Sequence, residues 1–108
     1  MKPSPGDRII ITLNMWDDRI PHHFEATKGS LARALSYEEY CQYHKEKPAL
    51  FRYHPEYVEK CMKQGELFPF QIEYVAPLVP KEDGIVLCKI GEAILLSEWY
   101  FQILKDDD

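Results

Sequence analysis

The chain has 108 residues, 45% of them apolar, which is enough for one modest core and too much for a disordered acidic tail. Its net charge is −5, with ten basic and nine acidic side chains in residues 1–65 and three and nine in residues 66–108. A nonspecific nucleic-acid binder concentrates Lys and Arg to displace phosphate counterions, so the acidic C-terminal part disfavours that class.

Pro3, Pro5 and Gly6 make an irregular start before Asp7-Arg8. The run Ile9-Ile10-Ile11-Thr12-Leu13 then predicts a strand, because β-branched side chains suit a buried sheet position. Periodicity is lost from Asn14 to Phe24, where Asp17, Asp18 and Pro21 mark a loop that Trp16, Ile20 and Phe24 can tuck against the core. Lys28-Gly29-Ser30 reads as a turn. The segment Leu31–Leu35 fits either a strand, by alternation, or a helix, because Ala and Leu are good helix formers. Ser36 and Glu39 have capping-box spacing, and Tyr37, Tyr40, Cys41 and His44 fall on one side of a helix over 37–46, stopped before Pro48. A second helix begins at Pro55, turns Tyr57, Val58, Cys61 and Met62 to one side, and stops at Gly65.

From Phe68 the period becomes two, with Phe68, Phe70, Ile72 and Tyr74 sharing a parity, which predicts a half-buried strand. Pro77, Pro80 and Lys81-Glu82-Asp83-Gly84 make a turn-rich connection to a further strand over Ile85–Ile90. Ala93–Leu96 and Trp99–Leu104 are two more apolar segments, separated by Ser97-Glu98, and residues 105–108 are expected to be a disordered acidic end. The expected organisation is a single domain over 1–108, with 31–65 a helical excursion. The Gly6-Asp7 start, the β-rich ends and the short final strands resemble the SH3-like barrel class over the first strand and residues 68–104; residues 31–65 depart from it. The expected fold class is therefore α+β, a small curled antiparallel sheet or SH3-like partial barrel with a two-helix insertion. One fold hosts unrelated functions, so no ligand-binding residues follow from this resemblance.

Two clusters have metal-ligating chemistry. Cys41, His44, His54 and Cys61 could converge on zinc if the helices pair antiparallel, although the spacing is neither a CxxC pair nor that of a zinc finger. Asp17, Asp18, His22, His23 and Glu25 could hold a divalent ion or exchange protons, as in a small metal-dependent enzyme, but they form no characteristic motif. The bland alternatives are cysteines packed between helices and a solvated polar turn. The glycines form no phosphate-cradling loop, and no cofactor is expected. Three cysteines without dense spacing, no secretory signal and no apolar run near the roughly 20 residues of a spanning helix point to a cytoplasmic protein without a membrane partner.

The excursion is rich in amphipathic aromatics. Tyr37, Tyr40 and Tyr57 are expected to turn their rings to the core, and Tyr43 and Tyr53 to the surface. Tyr43, Phe51, Arg52 and Tyr53 flank a helix boundary and, with Trp16 as a secondary contact, suit protein binding. The favoured reading is a non-enzymatic protein-interaction module, a small adaptor or inhibitor acting by steric masking or recruitment. Lys45, Lys47, Arg52, Lys60 and Lys63 beside those rings make a nucleic-acid-associated module the alternative, against the net charge. Self-association as a homo-oligomer is compatible with either.

Overall fold

In the computed structural model, which describes residues 2–16, 24–78 and 85–104, the isoleucine run forms β1 (Arg8–Ile11). The two arms of the expected loop pair with each other as β2 (Met15–Trp16) and β3 (Phe24–Ala26). Met15 and Ala26 pack on the core, which supplies the burial that periodicity did not reveal. The chain then reverses at Thr27–Ser30. Gly29 takes a φ of +94° there, and a Cβ at this position would stand 3.3 Å from Ala76. Thr27 Oγ1 donates to the Ala76 carbonyl at 2.7 Å, and Ser30 Oγ accepts from the Ala76 amide at 2.9 Å, so both buried hydroxyls are satisfied.

The ambiguous segment is a strand, β4 (Leu31–Ala34), antiparallel to β1 with Ile9 opposite Ala32. The helices follow as α1 (Tyr37–Glu46) and α2 (Pro55–Gln64). Ser36 Oγ accepts from the Glu39 amide while the Glu39 carboxylate accepts from the Ser36 amide, closing the capping box. Pro55 sits in the first turn of α2, and Gly65, at φ +72°, ends it in the left-handed region. Then come β5 (Phe68–Tyr74), β6 (Ala93–Leu96), a 3₁₀ turn over Glu98–Tyr100, and β7 (Phe101–Leu104). The run 85–90 forms no strand. Val86 and Ile90 are exposed, and Cys88 alone of the run is buried, in the core.

The main sheet is antiparallel, in the order β6-β5-β4-β1-β7. It is open and uncurled, so the expected curled sheet or SH3-like partial barrel is wrong, while the α+β class and the two-helix insertion are present. Closure would require β6 to pair with β7, and no such ladder exists among the described residues. The outward side of β6 is already engaged: the Ala93 amide donates to the Leu50 carbonyl at 2.9 Å, so the loop between the helices occupies the edge a closing strand would need. The predicted disordered end, 105–108, lies outside the described residues.

Each face of the sheet has its own core. Ile9, Ile11, Ala32, Phe70, Ile72, Ile94, Leu96 and Phe101 form one under the β2–β3 ribbon; Leu35, Tyr40, Phe51, Val58, Cys61, Ala93 and Leu95 form the other under the helices. β6 is buried at all four positions because alternate residues enter alternate cores. No helix among the described residues is long and apolar enough to cross a membrane.

Candidate functional site

The connection between α1 and α2 is an irregular segment held at three consecutive anchor points. Pro48 prevents α1 from continuing, and the Leu50 and Phe51 amides fold back onto the Lys47 carbonyl at 3.0 and 3.1 Å. The Leu50 carbonyl accepts from Ala93, as above. The Phe51 carbonyl lies 2.7 Å from His44 Nδ1, which places the proton on that nitrogen. The Tyr53 carbonyl accepts from the Tyr40 hydroxyl at 2.7 Å. Phe51, fully buried, plugs the space beneath, with its ring 5.4 Å from that of Tyr40 and 5.2 Å from that of Tyr43.

This anchoring fixes how residues 52–57 present their side chains. Arg52 Nε sits 3.1 Å from Glu92 Oε1, and the other Glu92 oxygen accepts from the Lys89 amide at 2.9 Å. The Arg52 guanidinium lies 5.8 Å from the centre of the Tyr53 ring, within cation–π range. Tyr53 in turn stacks with Tyr57 at 6.4 Å and 26°. Glu92, Arg52, Tyr53 and Tyr57 thus make a ladder of polar-tipped groups across the excursion. Beside Arg52 a groove of about 200 Å³ runs between Leu50 and the segment Val86–Lys89.

Of the residues singled out from sequence, Arg52 and Tyr53 belong to this ladder. Tyr43 is half-buried beside Phe51, and Phe51 lies wholly inside. Trp16 belongs to β2, and its side chain is outside the described residues. Tyr57, expected to face the core, is 47% exposed, because α2 buries Val58 and Cys61 and Tyr57 falls off that stripe. Glu92, the remaining member of the ladder, carries no signal in the sequence because it sits outside any periodic pattern.

The metal clusters resolve differently. No group of three or more His, Cys, Asp or Glu side chains able to hold a metal occurs among the described residues. His44 is committed to the Phe51 carbonyl, and His54 caps α2 by accepting from the Glu56 amide at 3.2 Å. Cys61 packs in the helix-side core, and Cys41 is half-buried near Tyr37, whose hydroxyl is pushed up to about 12 chiefly by its hydrogen bond to Cys41. Asp17, Asp18, His22 and His23 lie outside the described residues, as does the side chain of Glu25. Of the five basic residues of the alternative reading, Arg52 pairs with Glu92, and Lys63 lies 3.2 Å from Glu59. No protein-family model, curated protein or solved structure matches the chain.

Proposed function

We propose that this chain is a protein-interaction module, a small adaptor or inhibitor that masks or recruits another protein through the α1–α2 connection. The observation that carries this reading is the three-point anchoring of residues 50–53 beneath Arg52, Tyr53 and Tyr57. Tyr and Arg dominate binding energy at protein interfaces because they combine large contact area with polar tips. Side chains held in place before binding lose little freedom on binding, so affinity is not spent on ordering them. Tyr43 flanks the same excursion, Phe51 supports it from below, and Trp16 in the sequence-neighbouring loop stands as a secondary contact of this reading.

The test compares wild type with Arg52→Ala/Tyr57→Ala in affinity recovery from native cells, with and without nuclease. A stoichiometric protein retained after nuclease and weakened roughly ten- to a hundredfold by the double variant is the expected result. Recovery that disappears with nuclease, a partner indifferent to the variant, or no partner at all would overturn the proposal. Unchanged thermal unfolding of the variant separates lost binding from lost folding.

A further inference from the structure

The two histidines of the α1–α2 region use the same ring atom in opposite ways. His44 Nδ1 donates to the Phe51 carbonyl at 2.7 Å, whereas His54 Nδ1 accepts from the Glu56 amide at 3.2 Å. Their ring centres are 6.4 Å apart, edge to face at 63°. A donor nitrogen keeps its hydrogen whether the imidazole is neutral or charged, so the His44 anchor survives acid. An acceptor nitrogen loses its free lone pair on protonation, so the His54 cap does not. What that cap supplies is set by Pro55, which has no N–H. The Tyr57 and Val58 amides donate to the His54 carbonyl at 2.9 and 3.1 Å. The Glu56 amide is the remaining donor of the first turn, and the His54 ring is its partner. Tyr57, which stacks on Tyr53 in the ladder, belongs to that same turn.

We infer that His54 is a pH-responsive latch on the ladder: the neutral ring holds the first turn of α2, and with it Tyr57, while the imidazolium releases them. Imidazole is the side chain that changes charge between about pH 5 and 8, and His54 is exposed, so protons reach it. Protonation at Nδ1 sets two N–H groups against each other across 3.2 Å. It also places a positive charge at the helix end where the backbone dipole is already positive. The charged and titratable neighbours are His44 and Tyr40 from α1, Arg52 and Tyr53 from the connection, and Glu56 and Tyr57 from α2. On the sheet side Glu92 is occupied by Arg52 and the Lys89 amide. Arg52 is positive throughout and His44 joins it in acid, so of these groups only Glu56 draws the charged ring, and it sits on the released turn itself. The consequence for binding rests on reading the ladder as the docking surface; the latch does not.

The test follows nitrogen-labelled full-length protein by NMR, without a partner, from about pH 7.5 to about pH 5.5. At the upper end His44 should carry its ring hydrogen on Nδ1 and His54 on Nε2. Across the range the Glu56 amide should titrate together with the His54 ring. Protection of the Tyr57 and Val58 amides, corrected for the intrinsic pH dependence of exchange, should fall roughly fivefold, the typical worth of an N-cap. His54→Asn supplies an acceptor that does not titrate and should keep that protection at both ends of the range. His54→Ala should show the lowered protection at both ends. A first turn that acid leaves unchanged in wild type refutes the latch, and so does an equal acid loss in His54→Asn, which would trace the effect to another group. Because every readout is taken on the free protein, a failed latch leaves the Arg52–Tyr57 surface standing, and a failed partner recovery leaves the latch standing.

Discussion

Tyr40 shows how one side chain ties the helical layer to the surface it presents. Its ring is fully buried against Phe51, while its hydroxyl spans from α1 to the Tyr53 carbonyl. Tyr40→Phe keeps the ring and removes the only donor in that pair, leaving the carbonyl short of a partner. The expected loss is about 1–2 kcal/mol in denaturant unfolding at neutral pH. Burial pushes the Tyr40 hydroxyl up to about 12, a shift that the backbone of Tyr53 and the charge of Arg52 only partly oppose. The folded state therefore holds this proton more tightly than the unfolded chain, whose tyrosines titrate at 10.0. The resulting stability is fully present below pH 10 and is lost as pH rises toward about 12. Tyr37 titrates in the same window, so the difference between wild type and Tyr40→Phe is the quantity to follow. That difference should shrink across this range; a constant difference would mean that Tyr40 does not ionise with unfolding.

Among the elements, the helices were the most legible, because their signals are local. Ser36 with Glu39, Pro48, and Pro55 with Gly65 each act within a few residues, and each has its predicted effect. Sheet membership is a non-local property and was read less well. The run Ile85–Ile90 has strand composition but pairs with no strand among the described residues, and Leu31–Ala34 is a strand because β1 and β5 lie on either side of it. The α1 cap is open to a pH test. The Glu39 carboxyl sits below its ordinary value of 4.5, chiefly because the Ser36 amide donates to it, with Arg33 at 3.3 Å adding to the effect and burial opposing it. A depressed folded value means that this stability is full above pH 4.5 and is lost as pH falls through the folded value. Ser36→Ala should cost about 1 kcal/mol. Glu39→Gln should remove the acid-dependent part, so that its difference from wild type vanishes in acid. A difference that persists there would place the role of Glu39 elsewhere.

At the scale of the whole molecule, β6 is the element the two cores share. Ala93 and Leu95 enter the helix-side core, while Ile94 and Leu96 enter the ribbon-side core. The uninterrupted run Ala93–Leu96 hinted at burial on both faces, since a half-buried strand would alternate. The sequence did not reveal what lay on each face, nor that the Leu50 carbonyl would claim the Ala93 amide and leave the sheet open. The same distance in sequence hid most of the candidate surface: Arg52 and Tyr53 were recognisable by residue type, but Glu92 reaches Arg52 only through the β6 side of the fold. If β6 couples the cores, damage to either one must weaken both. Phe51→Ala strikes the helix side and Phe70→Ala the ribbon side, both at fully buried rings, and each should cost about 3–5 kcal/mol. In each variant, helical circular dichroism and tyrosine environment should be lost together, in one transition at a lower denaturant midpoint. Loss of the helices in Phe51→Ala while the sheet persisted would show the excursion to be a layer that unfolds independently of the sheet. The Arg52–Tyr57 surface would then be lost with the helices, the Ala93–Leu50 hydrogen bond being too little to hold residues 50–53 on β6.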